Sequence, residues 1–246
     1  MNRLEIKARI GSMHKCRMYH GLDMDTLKHL EAHHRDFQEF HDVMVETQAD
    51  RFSGSYWDFF STWIAPALVP AARVIDMGCG PGGWLPMIKS RYPEVEMDLH
   101  AVELVPVMLE TARMTANEIG ASVHDLDLSS PDWSSSIEGT FEIGHSSMVL
   151  HELPNPFFLL ENAARLIRPG GRLFIYDWCR HPLADYLARK DEEPALDTDL
   201  FQHYSEHARF SPDDVTLLAE RAGFREIARE QRDVAHVMLA YQRKGG

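Results

Sequence analysis

Cysteine is scarce in this chain: Cys16, Cys79 and Cys179 are the only three in 246 residues. They are odd in number, far apart and in no CxxC pair. That excludes a disulfide framework or a cysteine-built zinc site and fits reduced thiols of an intracellular protein. Long apolar runs are missing too. No uncharged apolar stretch approaches ~18 residues, so no membrane span is expected. The start, Met-Asn-Arg-Leu-Glu-Ile-Lys-Ala-Arg, lacks the apolar centre of a signal peptide, and the cytoplasm is the expected location. Cations are in short supply as well. Against 38 Asp and Glu stand 25 Lys and Arg, a net charge of −13, which argues against a nucleic-acid partner because phosphates need a basic surface. The local basic group Arg3, Lys7, Arg9, Lys15 and Arg17 reads as a solvated N-terminal segment. There is no internal repeat and no low-complexity tract.

What is present is an ordinary globular composition, 44% hydrophobic, in a chain long enough for one generous domain with a cap. From residue 72 strand and helix signals alternate, which predicts a parallel sheet wrapped by helices. Pro106 can open a helix that Gly120 ends. A further helix runs from about Pro156 to Ile167, stopped by Pro169-Gly170-Gly171. Ser211-Pro212-Asp213-Asp214 opens another, with Gly223 as its stop. Ala235 to Tyr241 reads as a last strand. Two segments fall outside this pattern. Residues 1–68 carry helical stretches rich in aromatics and are expected to be an N-terminal helical lid. Residues 178–210 are expected to be a cap inserted after strand five. Ligands of open parallel sheets bind beyond the strand carboxyl ends, so both segments are expected to cover that crevice and form an acceptor pocket.

Within the expected core of residues 69–246, Val74-Ile75-Asp76-Met77-Gly78-Cys79-Gly80-Pro81-Gly82-Gly83-Trp84 is the most informative stretch. A short apolar strand runs into an acid, then a glycine loop, then helix-compatible sequence. Glycines at such a turn let a ligand approach the backbone, and the following helix start offers free N–H groups. The spacing Gly78-x-Gly80-x-x-Gly83 also fits the dinucleotide fingerprint and is weak evidence by itself. Asp76 in the turn would repel a phosphate and suits a cation such as an amino-acid ammonium. Glu103, ending Met97 to Glu103, stands where a carboxylate accepts from ribose hydroxyls. Asp125 and Asp127, in His124-Asp125-Leu126-Asp127-Leu128, could accept from an adenine amino group.

Together these residues resemble the class I S-adenosylmethionine-dependent methyltransferases. The resemblance continues through Phe141 to Pro154, which looks like that family's fourth-strand segment, and through Leu166 to Ile175, its helix end, turn and fifth strand. It implies a Rossmann-like, doubly wound, seven-stranded and mostly parallel α/β sheet whose last strand is antiparallel. It implies S-adenosylmethionine as methyl donor, with Asp76 at its methionine end and Gly78, Cys79 and Gly80 giving backbone contact. Glu103, with Leu104, would serve the ribose. Asp125 or Asp127, around Leu126, would serve the adenine, and Ser146 and Ser147 the sulfonium side. Two other readings share these features: a nucleotide-dependent oxidoreductase, and a non-catalytic domain that binds the donor for regulation.

Methyl transfer from a sulfonium is a direct displacement, so positioning supplies most of the catalysis and a base is needed only if the acceptor must lose a proton. The expected acceptor is a small-molecule metabolite, and a homodimer is compatible with the chain. His151, just after strand four, is the first candidate base. Tyr19, beside His20, is a candidate lid residue. His145 reads as packed inside its strand, and Trp84 as helix packing. His29 and His33, like His203 and His207, are four apart and share a helix face. Each pair supplies two ligands where a zinc site wants three or four, so no metal is expected, while His203 and His207 remain candidates for the acceptor pocket.

Overall fold

The computed structural model describes residues 25–34, 36–188 and 197–245. Tyr19, Cys16, the N-terminal basic group and the acidic run at 191–193 lie outside them. The sheet has seven strands: β1 (Ala72–Met77), β2 (Met97–Glu103), β3 (Ser122–Asp125), β4 (Phe141–Ser147), β5 (Ile167–Trp178), β6 (Phe224–Gln231) and β7 (His236–Arg243). Their order is β3-β2-β1-β4-β5-β7-β6, and β7 runs antiparallel to both neighbours. This is the doubly wound sheet expected from the sequence. Val74, Ile75 and Met77 of β1 are all fully buried, because helices cover both faces of a parallel sheet and a central strand has no wet side.

The helices are α1 (Thr26–His34), α2 (Phe37–Arg51), α3 (Ser55–Trp63), α4 (Trp84–Arg91), α5 (Pro106–Ile119), α6 (Pro156–Leu166), α7 (Leu183–Ala188), α8 (Thr198–His207) and α9 (Pro212–Ala222). Their ends follow the expected chemistry. Pro106 is the first residue of α5 and Gly120 closes it in the left-handed conformation, at φ 72°. Ser211 and Asp214 form a reciprocal capping box on α9, and Gly223 ends it. The helix that starts at Pro156 stops at Leu166. The turn Pro169-Gly170-Gly171 falls inside β5, where the register against β4 shifts.

One correction concerns the N-terminal segment. α3 is core: Tyr56, Trp57, Phe59 and Phe60 are buried against Phe174, Tyr176, Met238 and Ala240 of the sheet. Such side chains contribute about 1.5–3 kcal/mol each on burial, so α3 cannot move as a lid without dismantling one side of the fold. Among the described residues of this segment, α1 and α2 are the helices that lie over the crevice.

Strand order reverses between β1 and β4, the switch point beyond which such sheets bind ligands. Asp76 near the end of β1 pairs in register with His145 near the end of β4. The fold therefore sets the two side by side at that point.

Removal of the α9 cap by Ser211→Ala is expected to cost about 1 kcal/mol of stability. Urea denaturation at neutral pH checks this, with donor affinity unchanged.

Candidate active site

The acid at the end of β1 is built into a buried network. Asp76, 2% exposed, binds His145 Nδ1 through Oδ1 at 2.7 Å. His145 Nε2 meets the Tyr56 hydroxyl at 2.8 Å. The imidazole stacks on Trp84 with ring centroids 3.9 Å apart. A carboxylate out of water needs such partners. Here they come from β4, α3 and the first residue of α4, so each element that meets the glycine loop is tied to Asp76. Burial, then the Asp76 charge, pushes the Tyr56 phenol well above its ordinary pKa, and it stays protonated.

The loop between β1 and α4 has left-handed backbone at Gly78, φ 79°. A Cβ there would come within 2.4 Å of Val149 Cγ2, so glycine is required twice over at this residue. At Gly83 a Cβ would strike Gln48 Oε1 of α2; α2 thus lies directly on the loop. Cys79 sits between, with burial followed by Glu103 and Asp76 raising its thiol well above the ordinary value. It is a protonated spacer with no nucleophilic role.

Glu103 ends β2. Its Oε1 accepts from the N–H groups of Leu104 and Val105, both at 2.8 Å, and its Oε2 from Gly80 N–H at 2.8 Å. Burial raises its pKa while these three donors oppose the rise. The donors hold the carboxylate in one orientation beside the loop. Asp127 is held in the same manner, accepting from Ser129 N–H at 2.8 Å and from the Thr26 hydroxyl of α1 at 2.7 Å.

These groups line one cavity at the carboxyl edge of β1, β2 and β4. Asp76, Gly78, Cys79, Gly80, Glu103, Leu104, Leu126, Asp127 and Ser147 all face it. Two expected residues do not. Asp125 is half exposed and reaches Arg113 of α5 at 3.5 Å, which leaves Asp127 as the acid of this pair that lines the cavity. Ser146 lies fully buried on the other face of β4, because strand side chains alternate and His145 and Ser147 already take the cavity face. The sequence reading missed Thr26, Gln48, Arg51 and Met148, which also line it. Only tertiary packing brings α1 and α2 there. Met148 is a non-glycine residue at φ 61°, a strain of order 1–3 kcal/mol of the kind held at functional sites.

The fit to S-adenosylmethionine rests on charge and shape. Ser147 Oγ is buried in the cavity wall without a hydrogen bond, an acid stands at each of three strand ends, and the cationic Arg51 shares the cavity. A zwitterionic amino-acid end needs both signs, and the ribose and adenine need acceptors.

A groove adjoins this cavity. It is lined by residues that include His33, His34, Tyr176, Trp178, His203, His207, Arg232 and His236. Phe40, Met44, Arg51 and Met148 line both spaces. His203 and His207 line the groove, stacked with centroids 4.0 Å apart; His203 Nδ1 meets the Tyr186 hydroxyl at 2.6 Å. His151 departs from expectation. It is 3% exposed, with Nδ1 at 2.5 Å from Asp177 Oδ1 and Nε2 at 3.1 Å from Glu152 Oε1. Burial lowers its pKa, but the two carboxylates outweigh burial and lift it to about 10. An imidazole that is protonated at neutral pH and engaged on both sides is not a free base for the acceptor. Glu152, at the lining of the donor cavity, is held well below its ordinary value: burial raises it, and the His151 charge with contacts from His33 and His34 more than reverses that.

The fold and the acid-ringed cavity at its switch point are those of the class I S-adenosylmethionine-dependent methyltransferase fold. The comparisons agree. The model of a methyltransferase domain family matches residues 25–228, and the chain belongs to that family. It is 30% identical over 127 residues to the ubiquinone biosynthesis O-methyltransferase of Xanthomonas axonopodis pv. citri, a match covering 51% of this chain and 52% of that one. The chain thus spans about half the length of the curated relatives it matches. An O-methyltransferase family protein from Burkholderia thailandensis shares the fold at TM-score 0.59 and 21% identity, over 84% of this chain and 59% of that one. A phosphoethanolamine N-methyltransferase from Haemonchus contortus in complex with S-adenosylmethionine does so at TM-score 0.57 and 14% identity, over 77% and 53%. The oxidoreductase alternative is set aside by the family match and by Asp76. Among the described residues no helix is long and apolar enough to cross a membrane.

Glu103→Ala is expected to weaken S-adenosylmethionine binding by about 1–3 kcal/mol, read by calorimetry; unchanged affinity would remove its ribose role. Tyr56→Phe removes one buried hydrogen bond and should cost about 1–2 kcal/mol of stability, read by denaturant unfolding.

Proposed function

We propose that this chain transfers the methyl group of S-adenosylmethionine to a hydroxyl oxygen of a small, ring-bearing molecule seated in the histidine-rich groove. The observation that carries this reading is the shared wall. Phe40, Met44, Arg51 and Met148 line both donor cavity and groove, so a methyl group at the end of one space faces the contents of the other. The groove offers aromatic surface at Phe40, Tyr176 and Trp178, which suits a planar acceptor. The name of the Xanthomonas relative, an O-methyltransferase, supports oxygen as the acceptor atom.

Bound S-adenosylmethionine supplies a methyl carbon made electrophilic by its sulfonium. Asp76, oriented by His145, accepts from the ammonium of the methionine end, and Arg51 neutralises the carboxylate. Glu103 and Asp127 have spent part of their acceptor capacity on protein donors, so their remaining lone pairs are aimed without further ordering. Holding two reactants in line at near-attack distance can supply most of the rate. The acceptor oxygen forms its bond to carbon as the old carbon–sulfur pair withdraws to sulfur, and the hydroxyl proton passes to an imidazole of the groove. α1 and α2 keep water from the meeting point.

Incubation with a donor carrying a labelled methyl and a mixture of hydroxylated aromatic metabolites, followed by mass analysis, tests the reading; label found only in macromolecules would end it. Trp178→Ala should raise KM for the acceptor about tenfold or more, as expected for a lost aromatic contact, while donor affinity holds.

A further inference from the structure

Side chains that the sequence scatters over three segments converge at the rim between cavity and groove. His33 and His34 end α1, His151 and Glu152 follow β4, and His207 ends α8. Ligand-capable atoms of His151, Glu152 and His207 all lie within 4.8 Å of one another. We propose that this cluster is a binding site for a divalent transition-metal ion of the zinc type, held by His151, Glu152 and His207.

Three observations point there. The first is the orientation of the imidazoles. His151 Nδ1 is bound by Asp177 and His207 Nδ1 by the carbonyl oxygen of His203 at 2.8 Å. A carbonyl only accepts, so the His207 proton is on Nδ1 and its lone pair is on Nε2. Backbone carbonyls and carboxylates orient metal-binding histidines in this way. The second is spacing. His151 Nε2 stands 3.1 Å from Glu152 Oε1, near the roughly 3.3 Å between neighbouring ligands on a tetrahedral shell of about 2.0–2.1 Å radius. The third is a buried carboxylate oxygen without a hydrogen bond. Glu152, 7% exposed, has no hydrogen bond at Oε2, although His33 Nδ1 and His34 Nε2 stand 3.3 and 3.1 Å away. His34 Nε2 is equally unbonded. Buried polar atoms are rarely left so, and a cation beside the carboxylate accounts for the Glu152 oxygen.

The donor set chooses the ion. Imidazoles with one carboxylate suit zinc and its first-row neighbours, whereas magnesium and calcium take oxygen shells. On binding, the ion replaces the proton shared by His151 Nε2 and Glu152 Oε1, which leaves to solvent. Three protein ligands leave a coordination position open, and His33, His34 and His207 line the groove, so that position faces the acceptor. Only this last role rests on the acceptor reading; the site itself stands on the side chains.

The test uses tag-free, chelator-stripped protein titrated with Zn2+, with bound metal counted by mass spectrometry. The wild-type chain is expected to bind one equivalent. His207→Ala and Glu152→Gln should each weaken binding by roughly tenfold or more, while His124→Ala, on β3, leaves it unchanged. His207 is on a partly exposed helix, so its variant keeps the test sound if a change at the buried Glu152 disturbs folding. Co2+ in place of Zn2+ should give visible ligand-field bands that His207→Ala weakens. No stoichiometric binding, or binding unaltered in His207→Ala, overturns the proposal. Methyl transfer to small molecules is scored in separate assays, so a failed acceptor reading and a failed metal site give different results.

Discussion

The buried contact between Asp76 and His145 is the one on which the rest of the donor site depends. A carboxylate 2% exposed is tolerable only when its charge is met, and the fold meets it from the neighbouring strand across the switch point. The same imidazole takes the Tyr56 hydroxyl on its far nitrogen and the Trp84 ring on its face. One acid is thereby coupled to α3, to β4 and to the start of the helix behind the glycine loop. What looks like a ligand-binding residue is also the node that sets where the loop lies.

The other acids follow the same logic with different partners. Glu103 takes three backbone N–H groups around the loop and the start of α5. Asp127 takes one backbone N–H and the Thr26 hydroxyl. Each is fixed by protein donors, and a carboxylate has lone pairs to spare after two or three such bonds. Binding then needs little rearrangement, which is the cheapest route to affinity for a small, polar ligand. The Thr26 contact adds that α1 is fastened to the donor site itself.

The groove proposed for the acceptor is assembled differently. Its walls combine α1, α2, Met148 after β4 and α8, which lie outside the repeating strand–helix pattern, with Tyr176 and Trp178 of β5 and the β6–β7 turn. Arg209 donates to the carbonyls of His151 and Leu153 and so pins the turn after β4. Met148 holds its left-handed backbone between the two spaces, with its N–H on the Tyr176 carbonyl at 2.8 Å. Rigid, strained elements at the meeting point suit a reaction that depends on alignment more than on acid–base chemistry.

Much of this was legible in the residue order, and the reason is locality. The strand-to-helix turn at Gly78, the helix ends at Gly120 and Gly223, and the acids closing β1 and β2 are short-range patterns whose meaning survives without a partner. The choice between Asp125 and Asp127 was not legible, because both share one short segment and only Arg113, on another element, draws the first away. Nor was Ser146 separable from Ser147 until the facing of β4 was set. His151 read as a free base because Asp177, 26 residues on, and Glu152 close around it only in the folded sheet. The sequence by itself determined the sheet, the donor and the acids at the strand ends, since these follow from local backbone chemistry. The tertiary structure alone decided that histidines of α1 and of the turn after β4 share one carboxylate and that His207 of α8 lies beside it, because contacts between distant segments arise from packing, which no local pattern encodes.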